Sequence, residues 1–374
     1  MGRRAIGLRT GIVALLLTVA LVIVTAAMVV SPEGRIQGIA LLKGPPPLRV
    51  GAAKTVDTND VGDPFVFPVP AGTNPPAFVP YQTGPEPYIN APWTAATANF
   101  AKAHGWYVLF GTTDWQENVP TAVSVDLTHW TEAPDALPQL PSWAKPSISM
   151  TWGPSALRTN ADWILYFSTE DKAYQRECIG AAISSTPAGP YVDNSSSPLV
   201  CQPSLGGSID PSIVHAPDGT PFLIWKNDGN SADEPDVLWS EQLRSDGLSL
   251  VGTAHKLLGA TESWERGIVE APAMLPSSYG GYWLFFAGGN WRSNRYDTGV
   301  AFCQSVTGPC ATTSAKPFLA TTRSLISPAG LDTFVDHQGR LWAGFTALVL
   351  VPSTWRPGHY FYNRVLDIAP IETR

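Results

Sequence analysis

Residues 206–226 read Gly-Gly-Ser-Ile-Asp-Pro-Ser-Ile-Val-His-Ala-Pro-Asp-Gly-Thr-Pro-Phe-Leu-Ile-Trp-Lys. They predict one β-hairpin, because a short apolar run is followed by a Pro-Asp-Gly turn at residues 217–219 and then by a bulky strand. Asp210 stands at the start of the first strand, between Ile209 and Pro211. If Ile209 and Pro211 are packed in the interior, the Asp210 carboxylate is buried with them, and a buried carboxylate needs another group to pair with it. The hairpin therefore indicates a β-rich fold and a first candidate for chemistry.

The second strand of this hairpin is one of five aromatic strands that recur along the chain, each after a turn rich in glycine or polar residues. They begin as Gly105-Trp-Tyr-Val-Leu-Phe, Asp162-Trp-Ile-Leu-Tyr-Phe, Gly219-Thr-Pro-Phe-Leu-Ile-Trp, Gly281-Tyr-Trp-Leu-Phe-Phe and Gly339-Arg-Leu-Trp-Ala-Gly-Phe. Their starts lie 57, 57, 62 and 58 residues apart. A repeat of this length with several short strands is typical of a propeller, so the sequence predicts an all-β fold, a five-bladed β-propeller. Two tandem β-sandwiches are the alternative.

The composition agrees with this fold and excludes several classes of function. The 374 residues include 33 Gly, 35 Pro and 14 Trp, and only 15% are charged, which favours tight turns and aromatic strands over a helical bundle. A net charge of −7 offers no basic surface, so no nucleic-acid partner is expected. The six histidines are scattered, without a His-Glu-x-x-His or a Cys-x-x-Cys motif, and no metal site is predicted.

Residues 1–30 predict a targeting segment that precedes the propeller. Three arginines stand before an uncharged apolar run at residues 11–30, which is long enough to cross a membrane and would keep the N-terminus in the cytoplasm. A cleavable signal ending near residue 26 is the alternative. Either segment gives an extracytoplasmic protein, anchored in the membrane or secreted. Residues 31–57 are predicted to be a linker and residues 58–374 the propeller domain, which we expect to be a monomer.

The four cysteines fit an exported protein, in which disulfides persist. Four cysteines allow three pairings. The pairs Cys178–Cys201 and Cys303–Cys310 are each close in sequence and flank a predicted turn. We therefore predict these two disulfides.

Acids recur in the stretches that precede three of the aromatic strands. They are Gly-Asp63-Pro, Ile-Asp210-Pro and Val-Glu270-Ala-Pro. Each acid falls where the inner strand of a blade would begin, so one end of the propeller is expected to bring Asp63, Asp210 and Glu270 together. An acid before a proline is otherwise a common turn residue, which is the alternative for each acid taken alone.

Three carboxyls in one pocket predict glycoside hydrolysis. Burial and mutual repulsion raise the pKa of some carboxyls, while hydrogen bonds lower the pKa of others. This separation can provide a protonated acid and an ionised base at one pH. No set of metal ligands and no pair of nucleophile and base is evident, and two carboxyls are sufficient to hydrolyse a glycosidic bond.

The acid motifs resemble those of glycoside hydrolase family 43. The resemblance rests on Asp63-Pro-Phe-Val, Ser208-Ile-Asp-Pro-Ser-Ile and Val269-Glu-Ala-Pro-Ala-Met, with Trp152-Gly-Pro as a further landmark, and covers about residues 58–350. It implies a five-bladed propeller that cleaves pentose linkages, most often arabinofuranosyl and otherwise xylosyl, in a polysaccharide or oligosaccharide with inversion.

The same resemblance implies roles for the acids. Asp63 would be the general base that activates water, Glu270 the general acid, and Asp210 would orient and tune that acid. The family often has a Gly-Pro-Gly-His segment in its fifth blade, whereas residues 327–332 read Ser-Pro-Ala-Gly-Leu-Asp. No cofactor is therefore expected to be required, and a structural calcium ion is left open.

Other residues are candidates for the substrate pocket. Asp332 is a candidate for its rim. An insert at about residues 68–104, between Asp63 and the first aromatic strand, is expected to loop over it. The substrate-binding candidates are Trp115, Trp152, Trp225 and Trp291, which could stack on sugar faces, and Arg292 and Arg295, which could donate hydrogen bonds to sugar hydroxyls. The alternatives are that the tryptophans pack between blades and that the arginines lie in a solvated loop.

Two other functions are left open by the sequence. One is a non-catalytic carbohydrate-binding β-propeller, against which the three acids speak. The other is a propeller hydrolase of family 32, which acts on fructosides. The Trp-Met-Asn-Asp-Pro and Arg-Asp-Pro motifs of that family are replaced here by Gly62-Asp-Pro and Ile209-Asp-Pro.

Overall fold

The computed structural model describes residues 48–57, 60–76, 93–114, 116–146, 151–352 and 360–373. In chain order, the strands within these residues are β1 (Leu48–Val50), β2 (Lys54–Asp57), β3 (Phe65–Val69), β4 (Trp106–Phe110), β5 (Thr121–Ser124), β6 (Trp130–Ala133), β7 (Trp152–Arg158), β8 (Trp163–Asp171), β9 (Arg176–Ser184), β10 (Ser208–His215), β11 (Pro221–Asn227), β12 (Val237–Leu243), β13 (Leu250–Gly259), β14 (Val269–Pro276), β15 (Tyr282–Asn290), β16 (Arg295–Cys303), β17 (Cys310–Thr312), β18 (Ile326–Val335), β19 (Leu341–Pro352) and β20 (Tyr360–Thr373). One α-helix, α1 (Ala95–His104), and two short 3-10 helices, Pro203–Leu205 and Gly229–Ser231, accompany them.

These strands form five antiparallel sheets. Blade one is β3-β4-β5-β6, blade two β7-β8-β9, blade three β10-β11-β12-β13, blade four β14-β15-β16-β17, and blade five β18-β19-β20-β1, with β2 also paired to β20. The first strands of the blades contact one another in a closed ring, from β3 to β7, β10, β14, β18 and back to β3. The described chain apart from residues 278–280 forms one compact unit. The predicted five-bladed β-propeller is therefore confirmed.

The N-terminal strands complete blade five. β1 pairs with β20 through Arg49 and Glu372, and β2 pairs with β20 through Lys54 and Ile368. Leu48 is buried in a cluster that also contains residues of blades four and five. The prediction of a linker at residues 31–57 is therefore wrong for residues 48–57, which are strands of blade five. Residues 31–47 lie outside the described residues.

The second strand of each blade explains the aromatic runs in the sequence. Every residue of β4, Trp-Tyr-Val-Leu-Phe, is buried, and β8 and β15 are buried along most of their lengths. Both faces of such a strand are covered by neighbouring blades, so its sequence is continuously apolar instead of alternating. One cluster, for example, joins Phe67 and Trp106 of blade one to Phe167 of blade two.

The register of the strands fixes which loops surround the acids. We call the end at which the inner strands begin the entry end. In each blade the second strand runs back to the entry end, so the connection from the second to the third strand lies there. The connection from the first to the second strand lies at the opposite end. In blade one, Val69 pairs with Trp106 next to that opposite end, and Phe65 pairs with Phe110 towards Asp63.

The insert of blade one therefore does not leave from the entry end. It begins after Val69 and returns through α1 to Trp106, and Ala101 of α1 packs in the same cluster as these two residues. The expectation that this insert loops over the pocket is wrong for its described parts, residues 70–76 and 93–105. Residues 77–92 lie outside the described residues.

Both predicted disulfides are present. Cys178 of β9 is bonded to Cys201, and Cys303 of β16 is bonded to Cys310 of β17. The first ties the outer strand of blade two to the segment that follows it, and the second joins two strands of blade four.

The targeting segment predicted at residues 1–30 lies outside the described residues. Within the part of the chain that the structure describes, no helix is long and apolar enough to span a membrane.

Candidate active site

A residue in the left-handed backbone region stands just before the inner strand of blade one and within the first five residues of the inner strand in the other four blades. These five residues are Asp63 (φ 46°), Gly153 (φ 53°), Asp210 (φ 56°), Ala271 (φ 46°) and Gly330 (φ 63°). In blades two to five the strand register shifts across this residue, which marks a β-bulge. The bulge re-aims the side chains beside it, and it recurs at the matching position of these four blades.

The residue types suit this backbone to different degrees. Glycine adopts a positive φ freely, and aspartate does so more readily than most other residues. Ala271 has no such preference, and its backbone stores about 1–3 kcal/mol of strain. This strained residue directly follows Glu270, so the chain tolerates strain at the position that orients this acid.

A cavity on the axis is lined by the same three positions of every inner strand. Its lining consists of residues 63–65, 153–155, 210–212, 271–273 and 330–332. Asp63 and Asp210 face it directly, and Glu270 precedes the part lined by Ala271. The structure therefore brings together the three acids that the sequence singled out.

Asp63 is held by groups from two blades. The Thr112 hydroxyl donates a hydrogen bond of 2.6 Å to its Oδ2. Burial has the largest effect and raises the pKa of Asp63 above its usual value, although the Thr112 hydrogen bond and the nearby Arg364 guanidinium act to lower it; the Glu270 carboxyl adds to the rise. Arg364 is itself fixed by two hydrogen bonds to Asp60, at 2.7 Å and 3.0 Å. Asp63 is thus a buried carboxyl whose ionised form has a donor and a cation beside it.

Asp210 is tied to the backbone of the next blade. Its Oδ2 accepts a hydrogen bond of 2.9 Å from the N–H of Ala271, and its own N–H donates to the Ser168 hydroxyl at 3.1 Å. Burial and repulsion by the Asp63 and Glu270 carboxyls raise the pKa of Asp210 well above its usual value. Since Ala271 follows Glu270, Asp210 fixes the peptide that carries this third acid.

Glu270 is the acid with the most direct charged partner. It is 9% exposed, and its Oε2 accepts a hydrogen bond of 2.8 Å from the Lys226 ammonium. Burial raises the pKa of the Tyr296 phenol well above its usual value, and the Glu270 carboxyl, with which it shares a hydrogen bond, raises it further. Tyr296 therefore stays a neutral phenol between the acids.

Asp332 belongs to the cavity as well. It lies two residues after Gly330 on the inner strand of blade five and lines the cavity wall. Burial raises its pKa to about 7, although its Oδ1 accepts a hydrogen bond from the Thr333 N–H. This candidate for the rim lies inside the pocket.

Trp225 does not face the site, so the prediction that it binds substrate is wrong. It is only 1% exposed, packs in a cluster with Tyr166 and Trp239, and donates from its Nε1 to Gln202. An aromatic residue in the middle of a second strand is covered on both faces by its neighbours and cannot stack on a sugar.

The other substrate-binding candidates have different positions. Trp152 is half-buried and immediately precedes Gly153, so it holds in blade two the position that Glu270 holds in blade four. Arg295 and Trp291 are exposed at the entry end of blade four, where the Arg292 guanidinium stacks on the Trp291 ring. Trp115 lies outside the described residues.

No group of three or more His, Cys, Asp or Glu side chains among the described residues is arranged to hold a metal ion. The expectation that the protein needs no cofactor stays a prediction.

Sequence reasoning missed four side chains that surround the acids: Thr112, Lys226, Tyr296 and Arg364. They lie on, or directly follow, second and third strands, outside the acid motifs. One signal was available, because Lys226 directly follows the apolar run Phe-Leu-Ile-Trp at residues 222–225. Such a lysine is either at the strand's solvent end or paired in the interior.

A ring of carboxyls on the axis of a propeller defines a candidate glycoside hydrolase. The family model described as glycosyl hydrolases family 43 matches residues 90–374. The chain therefore belongs to glycoside hydrolase family 43 and is a glycosidase. The matched range contains Asp210 and Glu270 and begins after Asp63.

Solved structures share this fold. A thermostable family-43 glycoside hydrolase has a TM-score of 0.63 at 19% identity, over 84% of this chain and 90% of that chain. An endo-arabinase from Bacteroides thetaiotaomicron VPI-5482 has a TM-score of 0.59 at 15% identity, over 86% and 97%. An α-L-arabinofuranosidase from Lactobacillus brevis has a TM-score of 0.58 at 12% identity, over 83% and 90%. At sequence identities this low, the structural similarity shows a shared fold. No curated protein sequence matches the chain.

The close approach at Gly153 gives a prediction on stability. A Cβ atom there would lie 2.9 Å from the Asp210 Cα and 3.0 Å from its Oδ1, whereas a Cβ at Gly72, which also has a positive φ, would meet nothing within 4 Å. Both Gly→Ala changes cost about 1–2 kcal/mol for the left-handed backbone. Gly153→Ala should cost about 1–3 kcal/mol more, because its methyl group overpacks the site. Chemical unfolding of the two variants checks this, and equal losses would show that Gly153 is not a close contact of Asp210.

Proposed function

We propose that the protein hydrolyses pentose linkages, arabinofuranosyl linkages first, in a polysaccharide or oligosaccharide with inversion of configuration. The observation that carries the proposal is the convergence of Asp63, Asp210 and Glu270 on one axial pocket. Two structural relatives are an endo-arabinase and an α-L-arabinofuranosidase, which supports an arabinofuranosyl substrate. A xylosyl substrate is the second candidate, since an endo-1,4-β-xylanase from Bacteroides thetaiotaomicron VPI-5482 shares the fold.

Asp63 acts as the general base. Its ionised carboxylate takes a proton from a water molecule as the water oxygen bonds to the anomeric carbon. The Thr112 hydrogen bond and the Arg364 guanidinium support this role, because both favour the ionised form against the effect of burial.

Glu270 acts as the general acid. It donates its proton to the glycosidic oxygen, which leaves with the electron pair of the broken bond as an alcohol. Inversion needs the base and the acid on opposite sides of the sugar, about 6.5–9.5 Å apart so that water fits between them. The positions of Asp63 in blade one and Glu270 in blade four, on different sides of the axis, support this arrangement.

Asp210 acts as the residue that positions the acid. Its hydrogen bond to the Ala271 N–H fixes the peptide that follows Glu270. Its raised pKa keeps it protonated to a higher pH than an ordinary aspartate. A neutral Asp210 limits the repulsion that an ionised neighbour would exert on the other two carboxyls.

The entry end supports a substrate longer than one sugar. Tyr174 and Trp291 lie in the connections between the second and third strands of blades two and four, and they are 55% and 53% exposed. Rings that stand exposed around a pocket offer faces on which further sugar units can stack.

The same proposal includes an extracytoplasmic location, with the protein anchored in the membrane through residues 11–30 or secreted, and a monomeric protein that needs no cofactor. The two disulfides support an oxidising compartment. Fractionation of cells that produce the full chain checks the anchor. Activity found only in the culture medium would favour a cleaved signal.

The test of the proposed function is a substrate panel. The full chain is incubated with arabinan, arabinoxylan, arabinogalactan and aryl α-L-arabinofuranosides and β-D-xylosides, beside Glu270→Gln and Asp63→Asn. We expect release of arabinose, and a fall in kcat of at least about 100-fold in each variant, because each loses a proton-transfer group. Turnover that survives both substitutions would contradict the mechanism. Binding without turnover by the unchanged protein would instead favour a carbohydrate-binding propeller.

The Thr112 hydrogen bond predicts a pH effect. Thr112→Val removes a donor that lowers the pKa of Asp63, so Asp63 should need a higher pH to ionise. The acidic limb of the kcat/KM profile should move upward by about one pH unit, the equivalent of a charge-assisted hydrogen bond. Thr112→Ser keeps the hydroxyl and is the matched control. If the acidic limb is the same in all three proteins, Asp63 is not the base that this limb reports.

A further inference from the structure

One position on or just after the second strand joins four of the five blades to the next. In blades two to five, the inner-strand residue just before the left-handed residue pairs with this position of the second strand; Trp152, just before Gly153, pairs with Ser168. The pairs are Trp152 with Ser168, Ile209 with Lys226, Glu270 with Ala287, and Ala329 with Thr346. In blade one the Thr112 N–H donates to the Gly62 carbonyl at 2.8 Å, so Thr112 occupies the same position.

In three blades a hydroxyl at this position bonds the following blade. Thr112 of blade one accepts from the N–H of Gly153 in blade two at 3.1 Å. Ser168 of blade two accepts from the N–H of Asp210 in blade three at 3.1 Å. Thr346 of blade five donates to the carbonyl of Val61, just before blade one, at 3.1 Å. A short neutral side chain is therefore sufficient to join two blades here.

Blade three departs from this pattern because it places Lys226 at the position. The side chain of Lys226 is fully buried, and its Nζ donates to Glu270 of blade four at 2.8 Å. A buried charge costs several kcal/mol unless partners compensate it. A hydroxyl would join the two blades at a lower cost in free energy. The contact between the blades therefore does not explain why a charged lysine occupies this position.

The connection that follows Lys226 supplies the compensation. Asn230 accepts from the Nζ at 2.6 Å, Asp236 lies 3.4 Å away and Asp228 lies 3.7 Å away. Burial alone would lower the pKa of Lys226, but the carboxyls of Glu270 and Asp236 outweigh burial and raise it above its usual value. Lys226 is therefore a cation, held in place by blade three and directed at Glu270.

We propose that Lys226 is a positioning residue for Glu270: it fixes the orientation of this carboxyl and stabilises the negative charge that appears on it when its proton passes to the glycosidic oxygen. This inference deepens the proposed function and rests on it. In the transition state the carbon–oxygen bond breaks while the proton leaves Glu270, so charge grows on the atom that Lys226 contacts. A fixed cation aimed at developing charge lowers the barrier without reorganising.

The other groups that face Glu270 do not replace Lys226. They are Asp63 on the inner end of blade one, Asp210 on β10, Asp236 after β11, and the neutral phenol of Tyr296 on β16. Ionised carboxyls oppose growing negative charge on Glu270, and the neutral phenol can favour it only through its hydrogen bond. Among these groups, Lys226 alone carries a positive charge.

The experiment separates this role from a purely structural one by the leaving group of the substrate. A good leaving group, such as a dinitrophenolate, departs without protonation, whereas an alkyl or sugar alcohol needs the general acid. The variant Lys226→Thr places at this position the residue type found in blades one and five. Its kcat/KM should fall at least about 100-fold for a methyl or disaccharide arabinofuranoside. For the dinitrophenyl glycoside its kcat/KM should fall less than about 10-fold. Thr346→Val, which removes the corresponding contact between blades five and one, is the matched control and should show no such selectivity.

Equal losses on both substrates in Lys226→Thr would overturn the inference and leave Lys226 as a contact between blades. Glu270→Gln is measured in parallel. If Glu270→Gln shows the leaving-group selectivity and Lys226→Thr does not, the inference on Lys226 fails alone. If neither variant shows it, the proposed role of Glu270 fails. If Lys226→Thr does not fold, the double variant Lys226→Gln/Asp236→Asn is used instead, because it removes the cation together with one compensating carboxylate. Its kcat/KM on the two substrates is compared with that of Asp236→Asn alone.

Discussion

The left-handed residue at the start of each inner strand is the constraint on which the site depends. A regular strand would direct successive side chains to opposite faces of its blade, away from the axis. The left-handed residues Asp63 and Asp210 line the axial cavity, and the strained Ala271 directs the peptide next to Glu270 towards it. Glycine at the matching positions of blades two and five leaves room for the acids, since Gly153 lies against Asp210 and Gly330 against Asp63. The five left-handed positions therefore form one ring around the cavity.

This ring concentrates negative charge, and the outer strands supply what balances it. Two cations reach the acids, Lys226 from β11 and Arg364 from β20, and each is held by carboxyls of its own surroundings. The proposed base and the proposed acid thus have different partners: a hydroxyl and a guanidinium influence Asp63, and an ammonium contacts Glu270. Two carboxyls in one pocket can serve as acid and base only if their environments differ, and here the difference comes from which blade each acid belongs to.

The spacing of the repeats was sufficient to predict the blades and the meeting of the three acids, because both follow from where a strand begins, which the aromatic runs mark in the sequence. The two disulfides were predictable because the cysteines of each pair are close in sequence and flank a turn. Features that depend on direction or on contacts between distant segments were not predictable in this way. The insert after Val69 leaves from the end opposite to Asp63 because β3 runs away from the acids. Residues 48–57 directly follow the stretch Lys-Gly-Pro-Pro-Pro at residues 43–47, and their pairing with β20 depends on the other end of the chain. Lys226 and Arg364 reach the site from strands outside the acid motifs, so no local pattern marked them.

The central claim is that Asp63 and Glu270 act from opposite sides of the sugar, one on water and the other on the leaving group. Proton NMR of the sugar released in the first minutes of hydrolysis tests this most directly, before mutarotation mixes the anomers. The account predicts that the first product has the anomeric configuration opposite to that of the substrate. A first product with the configuration of the substrate would contradict it, because retention requires a carboxylate that attacks the sugar itself.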